Sequence, residues 1–132
     1  MRREVWPITN AREIADARRA VQTVASQQRF RTSDAVRLST AASELARNAV
    51  VHGGGGEMLV EIVREGTREG VRLTFRDRGP GIPDIERAMV DGYSTAGSLG
   101  HGLGGARRLV DDFDIQSAPG AGTRVKVTRW RR

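Results

Sequence analysis

A chain of 132 residues with a net charge of +6 fits one domain and can bury about two-thirds of the surface that its unfolded form exposes. It contains no cysteine and only two histidines, His52 and His101, which excludes a disulfide framework and a Cys/His zinc site, so any metal must be oxygen-bound. No apolar run of about 18 residues occurs, and Met1-Arg2-Arg3-Glu4 leads into Val5-Trp6-Pro7 rather than a signal-peptide core, so a cytoplasmic location without a membrane partner is expected.

The positive charge raises the question of nucleic acid. The basic residues are scattered, however; Lys126 is the only lysine, and the richest cluster, Arg129-Trp130-Arg131-Arg132, is a terminal tail. No nucleic-acid partner is expected.

In chain order, Val5–Ile8 reads as a short strand at a sheet edge, because Pro7 cannot donate to a ladder. Asn10 and Glu13 then make a capping-box-like start for a helix whose Ile14, Ala17, Val21, Val24 and Ala25 share one face. A second helix starts at Thr32 or Ser33; Val36, Leu38, Ala42, Leu45, Ala49 and Val50 form its buried side, and Gly53 ends it. Residues 58–64 and 71–76 alternate apolar and polar and read as paired strands. A short helix is expected after Pro83 and another over Ala106–Asp112, followed by a hairpin of Asp114–Ser117 and Thr123–Trp130. Helices that share an apolar face with a mixed, mostly antiparallel sheet must stack on one side of it, which predicts a two-layer α/β sandwich.

Three features carry chemistry. Glu44 and Asn48 stand four residues apart in the second helix, so both side chains leave one face. The Asn oxygen can ligate Mg²⁺ while phosphates and waters fill the other positions, and the Glu is free to act as a base. Asp77-Arg78-Gly79-Pro80-Gly81 follows an alternating strand, so the carboxylate can accept from an exocyclic amino group while Gly79 and Gly81 let the backbone approach a flat ligand. Ser94–Gly105 is a small-residue segment running into a helix, and its closely spaced N–H groups suit a di- or triphosphate and a lid.

Gly100-His101-Gly102-Leu103-Gly104-Gly105 matches the dinucleotide-binding spacing, but no strand directly precedes it and no acidic strand end follows about twenty residues later. A P-loop is excluded because no Gly-Lys-Ser/Thr occurs. His101 reads as a tolerated side chain between glycines, and His52 as a helix-end residue.

Taken in order, Glu44 and Asn48, Asp77-x-Gly79-x-Gly81, Gly100-x-Gly102-x-Gly104 and Gly122-Thr123 resemble the N, G1, G2 and G3 boxes of the GHKL (Bergerat-fold) ATPases and kinases. Ala42–Asn48, Gly79–Asp84 and Asp91–Thr95 look specifically like the RsbT switch-protein kinases of bacterial stress signalling. The resemblance implies an ATP site in which Asp77 binds the adenine amino group, Thr123 supports it, and Asn48 holds Mg²⁺. Gly79, Gly81, Gly100, Gly102, Leu103 and Gly104 would line the nucleotide, the 86–105 segment would close over the phosphates, and Glu44 would be the catalytic base. It also implies partners: STAS-domain antagonists or scaffolds, as in a stressosome-like complex, phosphorylated on serine or threonine, and a PP2C-type phosphatase that the released kinase activates. A sigma factor is the partner in the anti-sigma branch of the same superfamily. Gly104 departs from the proline expected in this subfamily, which bears on lid rigidity. Besides the anti-sigma reading, a nucleic-acid binder and an ATPase without a protein acceptor are the rivals.

Overall fold

The computed structural model describes residues 3–82, 85, 89 and 99–132. The order is β1 (Arg3–Ile8), α1 (Ala11–Gln27), α2 (Thr32–Val51), β2 (Gly56–Glu65), β3 (Arg68–Asp77), α3 (Leu99–Arg108), β4 (Asp112–Ala118) and β5 (Gly122–Trp130). Five strands form one sheet in the order β1-β2-β3-β5-β4, and every pairing is antiparallel rather than mixed. Pro7 lies on β1, an edge strand, as its missing N–H requires.

The helices form the second layer on one face of this sheet. Ile8, Met58, Val60, Val71, Leu73, Phe75, Val125 and Val127 are the apolar halves of alternating strands, and they meet Ala17, Val21, Val24, Leu38 and Leu45 in one buried cluster. α1 starts where its capping residues direct: Asn10 Oδ1 accepts from the Glu13 N–H at 2.9 Å, and Glu13 Oε1 accepts from the Thr9 N–H at 2.8 Å. Val36 departs from the expected pattern; it is 43% exposed, because Ala35 and Leu38 take the buried positions of that turn.

The last helix also differs from expectation. It runs over Leu99–Arg108, not Ala106–Asp112. Leu103 and Ala106, three residues apart and both buried in the core, hold the glycine-rich turns in helical form. Asp111 instead donates its N–H to Thr128 O at 2.9 Å and Asp112 pairs with Thr128, so β5 claims the residues expected to end the helix. Gly100, Gly102 and Gly104 therefore belong to α3 itself. The helix expected after Pro83 lies outside the described residues, apart from Ile85 and Met89, where the Met89 N–H donates to Ile85 O at 3.1 Å. No described helix is long and apolar enough to cross a membrane.

Candidate nucleotide site

The antiparallel register sets Asp77, the last residue of β3, directly opposite Thr123 near the start of β5. Asp77 Oδ1 accepts from the Thr123 N–H at 3.2 Å and from the Gly79 N–H at 2.9 Å. One carboxylate oxygen is thus committed to holding the strand end, and Oδ2 has no hydrogen bond among the described residues. Behind it, the C-terminal end of α2 approaches so closely that a Cβ on Gly53 would meet Asp77 Cγ at 2.3 Å, and one on Gly79 would meet Gly53 Cα at 2.5 Å. Only glycines permit this contact. Gly81 closes the turn at φ +82°, a left-handed conformation that glycine adopts without strain.

A hydroxyl relay continues the same wall. Ser117 Oγ accepts from the Ile82 N–H at 2.7 Å, lies 3.1 Å from Gly122 O and 2.9 Å from Thr123 Oγ1. With the single Ser117 proton directed at Gly122 O, Thr123 donates to Ser117 and keeps its own lone pairs for a ligand.

These residues border a cavity of about 310 Å³ between α2, β3 and β5. Its polar members are Asn48, His52, Asp77 and Thr123; Leu45, Phe75, Ile82, Leu103 and Val125 are among its apolar ones. An apolar slot with a few convergent polar groups is the usual form of a site for a flat organic ligand. Of the residues singled out in the sequence, Asn48, Asp77, Gly81, Leu103 and Thr123 line this cavity. Gly79 serves it through its bond to Asp77. Gly104 is buried in α3 and borders a separate depression with Arg107 and Arg108.

Glu44 is not in the cavity wall. It sits one turn before Asn48 on α2, partly exposed, with its carboxylate 3.6 Å from Arg47 Nη1. Asn48 is the more unusual of the two: its Nδ2 is buried and has no partner among the described residues. A buried amide without a partner costs about 1–3 kcal/mol. Because the two ends of a carboxamide are assigned rather than observed, this group can turn NH₂ to a phosphate oxygen or oxygen to a cation. No group of three Asp, Glu or His side chains that could hold a metal ion occurs among the described residues, so of these residues Asn48 is the one that would offer a cation an oxygen, beside phosphate oxygens and water. That donor set suits Mg²⁺, which keeps several waters.

His52 was legible only as a helix-end residue. It does cap α2, donating its N–H to Asn48 O at 3.0 Å, but its side chain also lines the cavity. Burial pushes its imidazole below the usual histidine range, and the nearby Asp77 carboxylate opposes this without overcoming it. The signal that identifies it is spacing, since His52 stands four residues after Asn48 and so faces the same way.

Residues 33–131 match the family model described as histidine kinase-, DNA gyrase B-, and HSP90-like ATPase. The chain belongs to this family. Within it, the chain is 42% identical over 127 residues to the serine/threonine-protein kinase RsbT of Bacillus subtilis (strain 168), covering 96% of this chain and 91% of that one. It is 34% identical over 99 residues to an anti-sigma F factor of Bacillus licheniformis, covering 70% of this chain and 66% of the other. Among solved structures, a mycobacterial sensor histidine kinase, MprB, superposes with a TM-score of 0.59 at 20% identity, covering 99% of both chains. The catalytic domain of the histidine kinase ThkA gives 0.57 at 16% identity, covering 99% of this chain and 97% of the other. At such identity these two establish the shared fold, and the family's ATPase fold is the two-layer sandwich described above.

Proposed function

We propose that this chain is an ATP-dependent serine/threonine-protein kinase of the RsbT kind, acting in a bacterial partner switch. The observation that carries the reading is the pairing of the free Asp77 Oδ2 with the unpartnered Asn48 amide on one apolar cavity. The first suits the amino group of adenine and the second suits the phosphate end of the same nucleotide. Asp77 and Thr123 orient the base, Leu45, Phe75 and Val125 exclude water around it, and the first turn of α3, just before Leu103, offers N–H groups to the phosphates.

In the transfer step, Glu44 accepts the proton of an incoming serine or threonine hydroxyl. That oxygen forms a bond to the γ-phosphorus as the bond to the β–γ bridging oxygen breaks, leaving ADP. The carboxamide oxygen of Asn48 is the protein group that would hold Mg²⁺, and the bound ion would offset charge on the phosphates. Most of the rate enhancement would come from positioning. STAS-domain antagonists are the acceptors that this reading names, and a PP2C-type phosphatase is the effector freed kinase would engage.

The test is incubation with labelled Mg-ATP and candidate STAS proteins. Wild type should label an acceptor; Glu44→Ala should bind nucleotide normally yet transfer at least about a hundredfold less. Wild-type transfer by Glu44→Ala would remove Glu44 as the base. The likeness to anti-sigma F factors favours a second reading, in which ATP-dependent capture of a sigma factor dominates. Sigma-factor capture with no labelled STAS protein would select it.

A further inference from the structure

The sheet face turned away from the helices is not used by the nucleotide site. Side chains alternate along a strand, so Leu73, Phe75, Val125 and Val127 in the core place Arg72, Arg76, Arg124 and Lys126 on the opposite face. Arg76 and Arg124 are direct cross-strand partners, an arrangement in which like charges repel. Arg72 Nε donates to Thr128 Oγ1 at 3.0 Å, but none of the four forms an ion pair among the described residues. Arg124 Nε is buried without a hydrogen-bond partner. At one end of the strip, Arg76, Gln116 and Arg124 border a second cavity of about 360 Å³, which shares Asp77 and Thr123 with the nucleotide cavity.

The strip has acidic margins. By the same register, Glu57 and Glu61 on β2 stand directly opposite Arg76 and Arg72 on one side, and on the other side Asp114 and Asp112 on β4 stand opposite Lys126 and Thr128. Strands lie about 4.8 Å apart, so the two acidic rows stand about 14 Å apart with the cations between them. An α-helix with its side chains is about 10–12 Å across. A duplex or a lipid surface is broader and would lay its phosphates over both acidic rows.

We infer that this face docks one acidic helix of a protein partner, with its carboxylates in line over β3 and β5. Arg76, Arg124 and Lys126 supply charge-assisted hydrogen bonds, and the margins select against broad polyanions. Such a partner would sit back to back with the nucleotide, because Arg76 adjoins Asp77 and Arg124 adjoins Thr123 in the two strands.

The probe is a synthetic helical peptide with one row of glutamates and lysines along both margins, titrated against the full chain by calorimetry. A peptide with glutamine for glutamate, a DNA duplex and phosphatidylglycerol vesicles serve as comparisons. The glutamate peptide should bind in a salt-sensitive way and the glutamine peptide should not. R76S/R124S should weaken the complex at least about tenfold, the loss expected for removed charged hydrogen bonds, while nucleotide binding is kept; R76K/R124K should restore most of it. If R76S/R124S melts early, Lys126→Gln should produce a smaller loss in the same direction. Absence of peptide binding, equal binding by wild type and both sets of variants, or tighter binding of the duplex or vesicles than of the peptide would overturn the inference.

Discussion

The division of labour between the two oxygens of Asp77 makes a sharp test of what the cavity binds. In Asp77→Asn the carboxamide oxygen can still accept from Gly79 and Thr123, so the strand end stays in place. The NH₂ then replaces Oδ2 and presents a donor where a ligand amino group also brings donors. Nucleotide affinity, measured by titration with a fluorescent analogue, should fall at least about tenfold with little change in melting temperature. Unchanged affinity would mean that Asp77 only braces the turn. Asp34 is the contrasting case, since it matters for stability alone. It is buried in the first turn of α2, accepts from Arg129 Nη2, and Arg129 Nη1 in turn donates to Leu109 O at 2.9 Å. Asp34→Asn would leave a buried guanidinium without its counter-charge and should cost about 3–5 kcal/mol in denaturant unfolding. The hydrogen bond from Arg129 holds the Asp34 carboxyl below its ordinary value of 3.8, against the opposing effect of burial. Its folded pKa is the lower one, so its contribution is complete above that ordinary value and is lost as the pH falls through the folded one. Wild type should therefore lose stability over that acid range more steeply than Asp34→Asn.

At the scale of elements, α3 is the weakest helix by its own residues and the most dependent on its neighbours. Glycine costs about 0.8–1.0 kcal/mol against alanine inside a helix, and α3 carries Gly100, Gly102, Gly104 and Gly105. Burial of Leu103, about 1.5–3 kcal/mol for such a side chain, offsets much of this. A helix so balanced can reorder when a ligand arrives. A Cβ on Gly105 would meet nothing within 4 Å, so Gly105→Ala should raise stability by about 1 kcal/mol, and a loss of stability would contradict the helical assignment. The same balance explains why this element was misplaced in the sequence. Four glycines in seven residues read as a loop by propensity, and only the packing of Leu103 and Ala106 makes them helical. The strands were legible because one buried face forces an alternation that Met58, Val60, Val71, Leu73 and Phe75 display plainly. Asp77 could be named as a strand end before a glycine turn and Thr123 from the family resemblance, but the register that sets them opposite each other arises from pairing across forty-six residues. His52 was missed for a related reason, since a helix end and a cavity wall look the same until the sheet is in place.

For the whole molecule, the candidate nucleotide site joins parts that the chain keeps far apart in sequence. Its wall takes Asn48 and His52 from α2, Phe75 and Asp77 from β3, Leu103 from α3, and Thr123 from β5. A ligand filling that space links the helical layer to the sheet, so binding must appear as global stability. At a hundredfold excess over its dissociation constant, Mg-ATP should add about 2.7 kcal/mol, a rise in melting temperature on the order of 10 °C for a domain of this size. The variants divide by position. Glu44 lies outside the cavity wall, so Glu44→Ala should keep nearly the full shift even where transfer has stopped. Asn48→Ala removes the buried amide and should lose the magnesium-dependent part of the shift while retaining a response to adenine nucleotide alone. If Glu44→Ala instead lost the shift and Asn48→Ala kept it, the roles of the two residues on this one turn of α2 would have to be exchanged, and with them the assignment of which end of the site performs chemistry.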